Sequence, residues 1–243
     1  MTGSHGLLAG RSVLVTAAAG TGIGFATARR AIEEGATVIL SDRHERRLAE
    51  AAATLGAKGI PCDVTVEDDV QRLFDAVGPL DVLVNNAGLG GTAELTEMTD
   101  EQWHAVLDTT LTGTFRCTRA ALRIMKAQGS GVIVNNASVL GWRAQAGQGH
   151  YAAAKAGVMA LTRCAAIEAA AYGVRVNAVA PSLAMHPHLA KVTSDELLAE
   201  LTAREALGRA AEPWEVANVI VFLASGYASY LTGEVVSVSS QHP

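Results

Sequence analysis

Arg11-Ser12-Val13-Leu14-Val15-Thr16-Ala17-Ala18-Ala19-Gly20-Thr21-Gly22-Ile23-Gly24 is the stretch whose reading decides the fold. A short apolar run (RSVLVT, 11–16) leads into a small-residue turn (AAAGTGIG, 17–24), and a helical stretch (FATARRAIEEG, 25–35) comes next. Strand, glycine turn and helix in that order form the context that a phosphate-binding turn requires. Gly20, Gly22 and Gly24 let the backbone approach a pyrophosphate, whose charge the helix N-terminus favours. Glycines alone fit a helix cap or tight turn equally well. The next apolar run (ATVILS, 36–41) ends at Asp42. An acidic residue about 20 positions beyond the glycines is placed to bind a ribose 2′-hydroxyl. Together these features favour nucleotide binding over a bare cap.

Outward from this unit, apolar runs and helical patterns alternate. HERRLAEAAATLG (44–56) reads as an amphipathic helix and AKGIPCDVT (57–65) as a third strand ending at Asp63. Asp63 either accepts from an adenine amino group or caps the helix that begins near Val66. LDVLVNNAG (80–88) is a fourth strand. Ligands of open parallel sheets sit outside the strands' carboxyl ends, which puts Asn85, Asn86 and Gly88 beside a cofactor, unless the paired amides only tie loops together. Residues 100–128 predict one long helix with Trp103, Val106, Leu107, Leu111 and Phe115 on an apolar stripe. GVIVNNAS (131–138) and GVRVNAVAP (173–181, stopped by Pro181) predict the fifth and sixth strands, and GEVVSVS (233–239) the last. Between them, 182–209 reads as a loop with one or two helices forming a substrate lid, and Pro213 opens another helix. No repeat, linker or low-complexity run divides 1–243, so the sequence predicts a single domain.

Past the fifth strand lies SVLGWRAQAGQGHYAAAK (138–155). Tyr151 and Lys155 are four apart in an Ala-rich helical run, hence on one face and one turn apart. A phenol, whose ordinary pKa is about 10, is a poor general base near neutrality, and a neighbouring ammonium lowers that value. Ser138, at a strand end, can meet the phenol over one substrate oxygen if the helix folds back. Such a trio suits proton transfer in an alcohol/ketone pair. YxxxK alone is short and common, and gains weight only from the N-terminal half.

Composition narrows the remaining classes. The 243 residues suffice for one large α/β domain. With 49% hydrophobic and 5% aromatic residues, the core is expected to be Ala, Val, Leu and Ile. A net charge of −5 without a Lys/Arg run argues against nucleic acid. Cys62, Cys117 and Cys164 form no CxxC pair and read as reduced core thiols. His186 and His188 flank a proline without a third ligand at suitable spacing, so no metal is expected. The N-terminus lacks a signal pattern and no apolar run is long enough to span a bilayer, which predicts a soluble, cytoplasmic protein without membrane partners.

AAAGTGIG, CDVT, LVNNAG, Ser138 with Tyr151-x-x-x-Lys155, RVNAVAP, EPWEVA and LTGEV together resemble the short-chain dehydrogenase/reductase family over nearly the full length. The resemblance implies a Rossmann-type, doubly wound α/β fold of seven parallel strands, commonly a homotetramer. It makes Tyr151 the catalytic acid/base, has Ser138 polarise the substrate oxygen, and has Lys155 lower the Tyr151 pKa and hold the nicotinamide ribose. The implied cofactor contacts are Ala18, Gly20, Thr21, Gly22, Ile23, Gly24, Asp42, Arg43, Asp63, Val64, Asn86, Ala87, Gly88, Tyr151, Lys155, Pro181 and Leu183. The chain departs from the family pattern at Ala18, which replaces the turn's first glycine and restricts that backbone position. Thr110 stands for the helix asparagine, Ser182 for the glycine after Pro181, and His186 for a threonine near the lid. Ser239-Ser240-Gln241 replaces Asp-Gly-Gly. More narrowly, TAAAGTGIG, HERRL, NNASVLGWRAQ, HYAAAKAGVMALTRC, GRAAEPWEV and the ending QHP are similar to bacterial dehydrogenases of steroid catabolism that act on a two-ring hydroxyacyl-CoA.

Three functions remain in view. One is NAD(H)-dependent oxidation of a ring hydroxyl on such a CoA thioester. Leu140, Trp142, Arg143 and His186 are then candidate substrate contacts. Leu183, Met185, Leu189, Leu197, Leu198 and Leu201 add an apolar wall, and His188 and Lys191 a basic rim. The second is a 3-oxoacyl-thioester reductase of lipid synthesis using NADPH. Asp42 counts against it, since a carboxylate repels a 2′-phosphate, although Arg43 and Arg46 stand nearby. The third is a nucleotide-binding regulator without turnover, which the intact Ser138, Tyr151 and Lys155 disfavour. His150, beside Tyr151, either touches substrate or packs at the helix start.

Overall fold

The structure, a computed structural model, describes residues 4–185 and 195–240. Seven parallel strands form one sheet in the order β3-β2-β1-β4-β5-β6-β7. They are β1 (Ser12–Thr16), β2 (Thr37–Asp42), β3 (Lys58–Pro61), β4 (Val82–Asn85), β5 (Gly131–Asn136), β6 (Val174–Pro181) and β7 (Val235–Val238). Within β1, Val13 and Val15 face one side of the sheet and Leu14 the other, as a two-residue period dictates, and all three are buried. Register carries the pattern across, with Val13 opposite Val82 and Leu14 opposite Leu83.

One face is covered by α1 (Ile23–Glu33), α2 (Glu45–Leu55) and a helix near the C-terminus, labelled α8 below. Ala28 and Ala31 bring α1 close to the valines of β1 and β4, since a small side chain lets a helix approach the sheet. The other face carries α3 (Glu67–Val77), α4 (Asp100–Leu107), α5 (Gly113–Gln128) and α6 (Gly149–Ala170). Leu73, Phe74, Ala121, Met125 and Ala169 fill that second core against Leu14, Leu83 and Ile133. Two further helices, α7 (Asp195–Ala203) and α8 (Pro213–Ala224), complete the described chain, and α8 packs against α1. No described helix is long and apolar enough to cross a membrane.

Several expectations need correction. The long helix over 100–128 is interrupted by a π-helical segment, Asp108–Thr112, which contains Thr110. Phe115 leaves the predicted stripe and is exposed beneath the Arg119 guanidinium, because the extra residue of a π turn rotates the helix beyond it. The third strand stops at Pro61, so Asp63 lies in the loop. Val66, not Asp63, occupies the N-cap of α3, and Asp63 instead accepts from the amide and hydroxyl of Thr65 (2.9 and 2.7 Å). Cys62 and Cys117 are core thiols as expected, with burial pushing Cys62 up to about 12, but Cys164 is exposed on α6.

The described parts of 182–209 are held near Ala184 and at Glu205. Ala184 and Ala211 form a parallel bridge, Leu183 O accepts from Ala211 N at 2.8 Å, and Ser240 Oγ donates to Glu205 Oε2 at 2.7 Å. The departure at Ser240 thus has a structural use. His186, His188, Leu189, Lys191 and Gln241 lie outside the described residues, as does the side chain of Leu197.

Candidate active site

The order of strands reverses at β1, whose two neighbours β2 and β4 lead away in opposite directions, and this opens a crevice at the carboxyl ends. The glycine turn occupies it. Gly22 is the N-cap of α1 and makes no side-chain cap, so the first amides of the helix are left to an incoming anion. A Cβ on Gly24 would stand 2.5 Å from both Ala17 O and Asn86 Nδ2, which is why only glycine fits there. Besides Gly20, the turn has its positive φ at Ala17 (49°), not Ala18, so the restriction expected at Ala18 falls one residue earlier. Asn86 holds this strained turn to β4: Nδ2 donates to Thr16 O and Ala17 O, while Thr16 Oγ1 accepts from the amides of Asn86 and Ala87.

Asp42 ends β2 beside this turn, its oxygens accepting from Ala19 N (3.2 Å) and His44 N (2.9 Å). Each carboxylate oxygen retains acceptor capacity for ribose hydroxyls. Burial pushes the Asp63 carboxyl up, but the Thr65 hydrogen bonds and the charges of Arg43 and His44 hold it below the usual carboxylate value. Uncapped amides, a turn of mostly small residues and an acidic strand end fit a dinucleotide. Asn85, by contrast, is not part of this surface. It is buried and donates to Thr118 Oγ1 and Asn135 Oδ1, and Asn135 continues the network to Thr162. Asn85 thus ties β4 to β5 and α5 inside the core, so neither the cofactor contact nor the link between loops holds for it.

Ser138 comes after β5 as the cap of a short 3-10 turn (Val139–Gly141), with Oγ accepting from Leu140 N at 3.2 Å. Helix α6 does fold back against this turn and brings Tyr151 into hydrogen bonding with Ser138. Lys155 is 3% exposed, and its Nζ lies 5.5 Å from the Tyr151 ring centroid. The ammonium donates to Asn136 O at 2.5 Å. Burial raises the Tyr151 pKa, with only the Ser138 hydrogen bond opposing it, so the expected lowering by Lys155 is not the dominant effect. Burial likewise lowers Lys155 to about 8, which weakens any field it supplies above that pH.

Gly88 and Thr110 complete the wall around Lys155. A Cβ on Gly88 would approach Nζ to 3.5 Å and Thr110 Oγ1 to 3.7 Å. The Thr110 hydroxyl accepts from Leu89 N (3.0 Å) and donates to Leu89 O (3.3 Å), so it is occupied by the loop after β4. Asn136 was not foreseen. Its carbonyl receives Lys155 and its amide donates to Asn86 Oδ1 at 3.0 Å, linking lysine to glycine turn. No side-chain pattern announces a backbone acceptor. Val64 and Pro181 are buried near their strand ends, while Leu183 and Ala87 are half-buried. Leu140 and Arg143 are half-buried and Trp142 is 51% exposed beside the site. Among the described residues no group of three His, Cys, Asp or Glu could hold a metal.

A family model described as Enoyl-(Acyl carrier protein) reductase matches residues 17–240. The chain is 65% identical to (5R,7aS)-5-hydroxy-7a-methyl-1-oxo-2,3,5,6,7,7a-hexahydro-1H-indene-carboxyl-CoA reductase of Mycobacterium tuberculosis, over 98% of this chain and 95% of that protein. It is 40% identical to 3-oxoacyl-[acyl-carrier-protein] reductase FabG of Vibrio harveyi, over 96% of this chain and 97% of that one. A solved short chain dehydrogenase from Mycobacterium smegmatis superposes with a TM-score of 0.88 at 57% identity, covering 100% of this chain and 97% of that structure. With the sheet order, the glycine turn and the Ser138–Tyr151–Lys155 grouping, these matches lead to one conclusion: the chain belongs to the short-chain dehydrogenase/reductase family of nicotinamide-dependent oxidoreductases.

Proposed function

We propose that this protein interconverts a secondary ring alcohol and its ketone on a bicyclic, steroid-derived hydroxyacyl-CoA, using NAD(H). The likeness to the M. tuberculosis reductase over nearly the whole chain, far above that to the FabG protein, carries the substrate reading. That relative's name specifies a ring hydroxyl, a ring ketone and a carboxyl-CoA on a two-ring body. Half-buried Leu140, Leu183 and Met185 and the exposed Trp142 offer apolar surface for such a body, and Arg143 offers charge for the anionic carrier.

A bound nicotinamide dinucleotide supplies the hydride acceptor or donor. The glycine turn and the first amides of α1 would hold its pyrophosphate, and Asp42 its adenosine ribose. Asp42 faces repulsion from a 2′-phosphate, which supports NAD over NADP. The proton is the chain's own task. Ser138 holds the substrate oxygen, and Tyr151, bonded to Ser138, gives or takes the proton at that same oxygen. Lys155 stays anchored on Asn136 O within reach of both the phenol and a ribose hydroxyl.

The test is NADH formation from three substrates: the bicyclic hydroxyacyl-CoA, its free acid and a linear 3-hydroxyacyl-CoA. The bicyclic thioester is expected to be oxidised in strong preference. Preference for the linear thioester overturns the reading in favour of lipid synthesis.

A further inference from the structure

His150 sits in the first turn of α6, immediately before Tyr151, and is 2% exposed. The loop after β4 runs along this helix start. Its Gly88 lies against Lys155, and three residues later Gly91 lies against His150, where an added Cβ would stand 3.2 Å from Nε2. The loop is pinned beside the ring: Gln148 Nε2 donates to Gly91 O (2.8 Å) and Thr92 Oγ1 (3.1 Å), and Ala93 N donates to Gly147 O (3.0 Å). Gly90 and Gly91 are exposed, and a Cβ on Gly90 would meet nothing within 4 Å. Gly90 and Gly91 thus bring no side chain of their own over the imidazole, on the same loop whose Gly88 lies against Lys155.

The two ring nitrogens differ. Nδ1 is sealed and has no hydrogen-bond partner, while Nε2 points to the bare Gly91 edge. A sealed polar atom without a partner costs stability, and a phenyl ring would fill the same space without that cost. Packing alone therefore does not account for a histidine here. An unpaired buried N–H is less readily tolerated than an unpaired acceptor, so the proton belongs on Nε2, which becomes a donor.

We propose that His150 is a substrate-contacting residue whose Nε2–H donates to a carbonyl oxygen of the substrate other than the oxygen held by Ser138 and Tyr151. The inference rests on the bicyclic acyl-CoA reading, in which the substrate carries two such oxygens, a ring ketone and the thioester carbonyl. His150 then decides which end of the ring system faces Tyr151.

The test uses His150→Phe and Gly91→Ala in the full-length protein, the second variant placing a methyl group at the Nε2 edge. Both are expected to keep the NADH affinity of the unmodified protein by fluorescence titration, and His150→Phe to keep or raise its melting temperature. Both are expected to raise KM for the bicyclic thioester about tenfold, the scale of one hydrogen bond, with kcat nearly unchanged. A bicyclic thioester lacking the second ring ketone identifies the oxygen. If the penalty vanishes, Nε2 holds the ketone; if it persists, Nε2 holds the thioester carbonyl. Unchanged KM in His150→Phe on both thioesters overturns the inference. Should the unmodified protein ignore the bicyclic thioester and oxidise another ring alcohol, the substrate reading fails, and the KM of His150→Phe for that alcohol still decides the role of His150.

Discussion

Tyr151 sits in an environment that favours the protonated phenol: burial raises its pKa and Ser138 only partly opposes this. The phenol therefore holds its proton at neutral pH, which in the proposed mechanism suits donation to a carbonyl oxygen. Oxidation of an alcohol asks for the opposite, and the charge that would favour phenolate is itself weakened, since burial holds Lys155 at about 8. Tyr151→Phe retains the ring and loses the exchangeable proton. In the proposed mechanism, turnover falls at least about a hundredfold, while NADH affinity measured by fluorescence titration changes little. A Phe variant with near-normal turnover refutes the assignment. Thr110 belongs to the same scale. Its short side chain is consumed by Leu89 N and O, so it fixes the loop that carries Gly88 past Lys155.

Among the elements, α1 shows how a helix end is tied to the start of the chain. Glu34, fully buried after the last turn, accepts from the amides of His5 and Leu7 at 2.9 Å each and pairs with Arg30. Burial pushes its carboxyl up, but the amides of Leu7 and His5 and the charge of Arg30 overcome that and hold it below the ordinary 4.5. A folded value below the unfolded one means that this stabilisation is present above pH 4.5 and is lost as pH falls through the folded value. Glu34→Gln takes the carboxylate away from the amides of His5 and Leu7 and leaves Arg30 to Glu33, and is expected to cost about 2 kcal/mol at pH 7, read by urea denaturation. The gap to the unmodified protein should narrow below pH 4.5. A gap that is independent of pH removes the electrostatic explanation.

At the scale of the whole molecule, the sheet order brings the ends of β1, β2, β4, β5 and β6 to one crevice. The pairing of β2 with β1 puts the Asp42 carboxylate next to Ala19 in the glycine turn, which is where the proposed choice between cofactors would be made. Asp42→Ala is expected to weaken NADH binding about tenfold or more, the scale of a hydrogen bond to a charged group, and to narrow the gap to NADPH. Arg43, next in the chain, is placed to assist the 2′-phosphate once the carboxylate is gone. Parallel titrations with NADH and NADPH check this, and an unmodified protein that prefers NADPH contradicts it.

Alternating apolar runs and helical patterns already marked the strands and helices, because those signals are local and repeat with the period of the element, while the seven-stranded parallel arrangement was implied by the family resemblance of the motifs. The Tyr151–Lys155 face was equally legible, since a helix places residues four apart together whatever surrounds it. Burial, backbone acceptors and loop contacts were not legible, because they depend on what distant segments bring. Only the folded chain exposes Phe115 past the π turn, puts the strain at Ala17, turns Asn85 into the core and seats Lys155 on the carbonyl of Asn136. It also sets the direction of the Tyr151 shift, since desolvation is a property of the assembled interior and a sequence neighbour four residues away cannot reveal it.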